Sequence, residues 1–161
     1  MLRRAAIVVG GITLVCAGWA GMILVGMRTQ DRRILGVVRR FNRDVTNKLQ
    51  LSGPAGGPGA YAAIIRHRGR KSGREYATPV GAQPVDGGYL FALPYGLRTD
   101  WLQNVLAAGT ATLMHEGQTV EVDSPELLTI EEANQYFEPS DQWMHRTFGV
   151  RNFLRLRRVS P

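Results

Sequence analysis

The chain has 161 residues, 44% of them hydrophobic, with 19 glycines and a formal charge of +7, a composition that argues against general disorder and fits one domain with an appendage. The charge suggests nucleic-acid binding, but its distribution does not. Residues 1–51 hold nine Arg/Lys against two acids, whereas the remainder balances at eleven of each, and a neutral body offers no extended basic face.

After MLRR, the segment Ala5–Met27 contains 23 residues without a charge. As a helix it would span roughly 34 Å, enough to cross a bilayer's hydrocarbon core. It is longer than the apolar region of about 7–15 residues in a cleavable signal peptide. Cys16 follows a poor lipoprotein context, Thr13-Leu14-Val15. The expectation is a retained transmembrane anchor over residues 1–30. Two arginines precede the apolar run and seven Arg/Lys follow it between Arg28 and Lys48, which places the C-terminal body on the cytoplasmic side of the cell membrane. Cys16 is the only cysteine, so there is no disulfide framework.

Residues 31–51 place Ile34, Val38, Phe41, Val45 and Leu49 on one helical stripe, flanked by Arg39, Arg40 and Arg43. Two readings fit: an interfacial helix on anionic membrane lipid, or a helix packed on the domain. Residues 52–60, SGPAGGPGA, are a Gly/Pro linker by composition. The folded domain is expected over 61–161.

Within that domain, Tyr61–His67 reads as a strand, RGRKSGR as a turn and Glu75–Gln83 as a second strand. Val85-Asp86-Gly87-Gly88 is a hairpin turn leading into a strand at Tyr89–Leu93. Thr99 is an N-cap candidate for a helix that Gly109 ends. Thr110–His115 and Gln118–Leu127 form another hairpin. Thr129 and Glu132 fit a capping box, opening a helix to about Phe137. The alternating NFLRLRRV tail completes six short strands with two or three helices, a small, mostly antiparallel α+β barrel.

Most catalytic patterns are missing. His67, His115 and His145 lack companions at metal-ligand spacing and read as packing or surface histidines, so no metal site is expected. Neither a G-x-S-x-G elbow nor a phosphate loop of the G-x-x-x-x-G-K type occurs. The informative stretch is Arg68–Pro79, RGRKSGREYATP. Arg68, Arg70, Lys71 and Arg74 crowd a turn that contains Gly69, Gly73 and Ser72. Cationic forks, a point charge and backbone freedom suit an anion; a solvated hairpin tip explains the same residues without one.

GRKSGREYATPVG followed by LPYGLRTDWLQNVLAAG resembles the deazaflavin-dependent nitroreductases, the coenzyme F420-dependent quinone reductases, which have a split β-barrel fold. The resemblance covers roughly residues 61–129. It implies that Arg70, Lys71, Ser72 and Gly73 grip the phosphate and acidic tail of F420. Thr78 and Pro79 would lie against the deazaflavin ring, with Tyr95 and Gly96 on its other side. Trp101 and Asn104 match the family's W-x-x-N helix, where structural roles are the competing reading: Trp101 buried beneath the site, Asn104 tying down the loop. Tyr76 stands where family members often carry a basic residue, and Arg74 is its nearest substitute.

The implied activity is hydride transfer from reduced F420 to a lipophilic acceptor such as a quinone or nitro compound. Active relatives use tyrosines near the C terminus. After Tyr95 only Tyr136 remains here, with Trp143 and His145 as other nearby candidates; Tyr136 is a candidate proton donor that could equally be packing. The alternatives are a non-enzymatic F420- or lipid-binding split barrel and a relative that uses flavin mononucleotide (FMN).

Overall fold

The computed structural model describes residues 18–159. The expected span at residues 5–27 therefore begins outside the described residues. Among those described, no helix is long and apolar enough to cross a membrane. Residues 18–29 form helix α1. The chain breaks at Gln30, whose φ is 54°, and Asp31 then caps α2 (Arg32–Phe41). The Asp31 carboxylate accepts from the N–H groups of Arg33 and Ile34, bonds that hold its pKa below the usual value. Trp19 meets Phe41 edge to face at 5.1 Å, so α1 folds back along α2.

The expected apolar stripe does not survive as one face. A π turn at Asn42–Thr46 separates α2 from α3 (Asn47–Leu51) and shifts the helical phase. Leu35 and Val38 are buried, whereas Phe41, Val45 and Leu49 are exposed. Residues 52–60 are also more than a spacer. Gly56 N–H donates to Ala62 O, the Gly56 carbonyl accepts from Gly117 N–H, and Gly59 N–H donates to the Glu116 carboxylate. The segment is strapped to a hairpin tip.

Seven strands follow: β1 (Ala63–Arg68), β2 (Glu75–Val80), β3 (Gln83–Val85), β4 (Gly88–Ala92), β5 (Thr110–His115), β6 (Gln118–Thr129) and β7 (Asn152–Arg158). They form one antiparallel sheet in the order β2-β1-β5-β6-β7-β4-β3. The expected second strand is two, broken at Gly81-Ala82, which carries the chain from one edge of the sheet to the other. The curled sheet and its helices make an α+β split barrel.

Helix α4 (Asp100–Ala108) closes the concave face. Its Leu102 and Val105 pack with Ile65, Phe91, Leu113, Val122, Leu154 and Leu156. Burying a leucine or valine side chain of this kind contributes about 1.5–3 kcal/mol. Gly109, at φ 74°, ends α4 as expected, but Thr99 occupies the cap position without capping; its buried hydroxyl has no hydrogen-bond partner among the described residues.

Thr129 and Glu132 do form the capping box that opens α5 (Ile130–Ala133). This helix is shorter than expected and passes into a 3-10 turn at Asn134–Tyr136. A further helix, α6 (Pro139–Phe148), lies between Pro139 at its start and Gly149 in the left-handed region at its end. These elements cover the convex face of β7, where Phe153 and Val150 pack with Ala133, Phe137 and Phe148.

Candidate functional site

The β1–β2 turn is closed by its own backbone: Gly69 N–H donates to Arg74 O at 2.8 Å and Gly73 N–H to Gly69 O at 2.8 Å. Gly73 needs its positive φ of 68°. Gly69 needs its missing side chain, because a Cβ there would lie 2.6 Å from Ser72 Oγ and 2.7 Å from Tyr76 Cε2. Ser72 Oγ and Tyr76 Oη share a hydrogen bond of 3.1 Å, and Arg68 Nε donates to Gly73 O. The turn is a braced loop.

Arg70 provides the main brace. Its backbone N–H and its Nη1 both donate to Asn104 Oδ1, at 3.1 and 2.8 Å, and Nη2 pairs with the Asp100 carboxylate at 3.2 Å. Much of the guanidinium is therefore committed to α4. Lys71 and Arg74 differ: both are exposed, and neither has a carboxylate within 4.0 Å among the described residues. With the outer nitrogens of Arg68, which is also exposed, they are the cations of the turn left available to a ligand.

Asn104 is buried, as is His67 beside it. Asn104 Nδ2 lies 3.1 Å from His67 Nδ1, and His67 Nε2 lies 3.1 Å from Thr78 Oγ1. The Tyr76 ring stacks on His67 with centroids 5.9 Å apart. Burial pushes the His67 imidazole down to about 4, partly opposed by the negative charge of Asp100, so the ring is neutral near pH 7. Sequence reading treats His67 as a packing residue. Its partners Asn104 and Thr78 lie on other elements, so no local motif exposes the cluster.

The fold thus joins Arg70, Ser72, Tyr76, Thr78 and Asn104 through direct hydrogen bonds and the His67 ring. Pro79 follows Thr78 on the same strand and is partly exposed. Tyr95 and Gly96 lie on the loop before α4, held by Gln103 Nε2 donating to Leu97 O at 2.8 Å. A cleft of about 230 Å³ opens there, lined by Tyr95, Gly96, Arg98, Leu35, Arg32 and Arg39 among others. Gly96 has a φ of 71°, and a Cβ would run into the Gln30 carboxamide, which donates to Met27 O.

Trp101 is half-buried, packs against the core and stands edge-on to Phe91 at 6.1 Å. Tyr136 is exposed on the 3-10 turn, and no described hydrogen bond or ring contact joins it to the His67 cluster. Among the described residues, no group of histidine, cysteine and acidic side chains could hold a metal ion.

No family model matches the chain, and no curated protein does. Solved structures do. A domain-swapped dimer aligns at 14% identity over 75% of this chain and 97% of its own, with a TM-score of 0.50. The neighbours include an F420-H2 dependent reductase, FDR-A, at 17% identity over 59% of this chain and 93% of its own, TM-score 0.45. The haem-storage protein HutZ of Vibrio cholerae aligns at 9% identity over 64% of this chain and 84% of its own, TM-score 0.46. Likeness at such identities speaks to the fold alone.

Proposed function

We propose that this chain is a membrane-associated oxidoreductase that uses reduced coenzyme F420 to reduce a lipophilic acceptor such as a quinone or nitro compound. The observation that carries this reading is the braced turn. It holds Lys71 and Arg74 exposed and without acidic partners, while Arg70 is spent on fixing the backbone to α4. Such a donor set fits a ligand with phosphate and carboxylate groups, and F420 carries both.

In this reading Lys71, Arg74, Ser72 and the Gly73 backbone receive the anionic tail. Thr78 and Pro79 line one side of the ring site, and Tyr95 and Gly96 the other. Bound F420 would supply a two-electron hydride donor. The chain's own task is to fix the ring and acceptor at reacting distance and to exclude water, which rigid elements do better than loops. The bonds from α4 to both the turn and the Tyr95 loop, through Asn104 and Gln103, serve that positioning. Tyr136 is the candidate proton donor to the reduced acceptor.

The membrane part rests on the uncharged N-terminal run and on the α2–α3 segment. That segment leaves Phe41, Val45 and Leu49 exposed beside Arg39, Arg40, Arg43 and Lys48. Apolar side chains among cations suit an anionic lipid surface, each cation contributing about 1 kcal/mol there. The folded body would then face the cytoplasm. An F420 or lipid carrier without turnover remains the alternative, favoured by the lack of any contact between Tyr136 and the turn; an FMN-dependent relative is the other.

A fluorescence titration of F420 into the full chain tests the site, alongside a Lys71→Ala/Arg74→Ala double variant. Wild-type binding that the double variant weakens at least tenfold is expected, since a charged hydrogen bond contributes about 1.5–3 kcal/mol. Equal affinities, or no wild-type binding, would sink the assignment. A flavin absorbance band in the purified protein would move FMN ahead.

A further inference from the structure

The order of donors and acceptors across the buried cluster is fixed by chemistry. A backbone N–H and a guanidinium can only donate, and both Arg70 groups meet the same Asn104 oxygen. That orients the carboxamide: Oδ1 faces Arg70 and Nδ2, a donor, faces His67. His67 Nδ1 must then accept, and the ring's one proton sits on Nε2. Nε2–H in turn donates to Thr78 Oγ1. The Thr78 hydroxyl is left with its own hydrogen unused, because it makes no other hydrogen bond among the described residues. Thr78 as a residue is only partly buried.

We propose that His67 is a positioning residue that turns the hydrogen of the Thr78 hydroxyl away from itself and toward a ligand, so that a ligand bound along β2 is favoured when it places an acceptor atom, a carbonyl oxygen or an unprotonated ring nitrogen, against Thr78. The specificity arises from a relay: Arg70 sets Asn104, Asn104 sets the His67 tautomer, and the tautomer sets the direction of the Thr78 hydrogen. A ligand edge that can only donate would have to use the second lone pair of Thr78 Oγ1 and leave the hydroxyl hydrogen unpaired, so it should bind more weakly than an edge that accepts. This rests on the proposed ring site beside Thr78 and goes beyond it by naming the polarity that the protein favours there. The neutrality of the ring near pH 7 agrees with it.

The relay can be read without any ligand. In the full chain labelled with 15N-histidine, His67 is expected to show a pyridine-type Nδ1 and a pyrrole-type Nε2 at neutral pH, its signals assigned by their loss in His67→Gln. The opposite tautomer, or a protonated ring, overturns the relay. The ligand side is read by F420 titration. Thr78→Val should weaken binding about tenfold and Thr78→Ser by less than threefold. His67→Gln, which keeps a donor near the Nε2 position, should bind nearly as wild type, and His67→Leu should resemble Thr78→Val.

Because His67→Leu also strips Asn104 of a partner, Thr78→Val is the variant that does not depend on the buried ring being replaceable. The double variant His67→Leu/Thr78→Val should lose no more than Thr78→Val alone, since both act through one hydroxyl. Additive losses, or Thr78→Val binding as wild type, overturn the proposal. If the wild-type chain binds no F420, the cofactor reading fails and the acceptor preference with it, while the tautomer spectrum still decides the relay separately.

Discussion

Two regions of this molecule each bury a histidine, and they differ in where its hydrogen bonds lead. Beneath the turn, His67 uses both ring nitrogens, and the chain of bonds ends at the hydroxyl of Thr78, a partly buried residue. On α6, His145 Nδ1 bonds Asn134 Oδ1 at 3.2 Å, and its ring stands edge-on to Phe137 at 4.6 Å and Phe153 at 5.0 Å. Desolvation lowers the pKa of both. A depressed histidine pKa therefore does not mark a site in this fold. What differs is the run of hydrogen bonds: from His67 it reaches both Asn104 and Thr78, whereas His145 has Asn134 as its one side-chain partner among the described residues.

The sharpest way to test that contrast is to damage the aromatic region and ask whether the site notices. Phe153 is fully buried and touches both Phe137 and His145. Phe153→Ala should cost about 3–5 kcal/mol in urea unfolding, by lost burial and the cavity left behind. F420 affinity, corrected for the folded fraction, should not change. A fall in that corrected affinity would mean that the two regions are one cooperative site.

Acid offers a second, smaller lever. The His67 pKa is about 4 in the folded state against 6.5 for a free side chain. The unfolded chain therefore binds the extra proton first. The stability that goes with the neutral ring is fully present above pH 6.5 and drains away as pH falls toward 4, by at most about 3 kcal/mol. Tyr76 stacks on the ring, Arg66, Arg68 and Glu75 line the same cavity as His67, and the charge of Asp100 opposes the shift. His145 acts with the same sign. Denaturation at a series of pH values, repeated with His67→Gln, should show a flatter loss in the variant; an unchanged slope would assign the acid sensitivity to the His145 region.

Much of the turn region was legible in sequence because its signals are local. Gly69, Gly73 and the cations between them announced a tight basic loop, and the W-x-x-N helix placed Asn104. Gly109, the Asp86-Gly87 turn and the Thr129–Glu132 box also work within a few residues, and each appears as expected. The His67 hydrogen bonds were not legible, because Thr78 meets His67 through the β1–β2 register, where Ile65 faces Thr78 and His67 faces Tyr76, and Asn104, 37 residues away, arrives on α4. The contacts of Arg70 were hidden for the same reason: a basic loop gives no hint that one of its arginines is turned onto Asp100 and Asn104. The apolar stripe over residues 31–51 failed differently. Its spacing assumed an unbroken helix, and the π turn at Asn42–Thr46 changes the phase on which the pattern depended. Helix α6 had legible ends in Pro139 and Gly149, but its mixed composition hid the run between them.

A smaller perturbation acts on the turn alone. Gly69→Ala would press a methyl group onto Ser72 and Tyr76, the far ends of two side chains. About 1 kcal/mol of stability should be lost, and F420 binding should weaken as the Ser72–Tyr76 bond is displaced. An unaltered affinity would free that bond from any part in the site.

The smallest effect on stability is expected at Tyr136, and it separates enzyme from carrier. The side chain is exposed and makes no described hydrogen bond, so Tyr136→Phe should move urea unfolding by no more than about 0.5 kcal/mol. F420 affinity should hold as well, because nothing in the turn contacts it. What should change is turnover: with a quinone as acceptor, loss of a positioned proton donor typically slows reduction by about a hundredfold or more. Full activity in Tyr136→Phe would leave the proton to solvent or another group and make the tyrosine a surface residue. Cofactor binding without acceptor reduction in the wild-type chain would favour the carrier reading outright, and the contrast between the regions would then be one between a binding surface and a packed support.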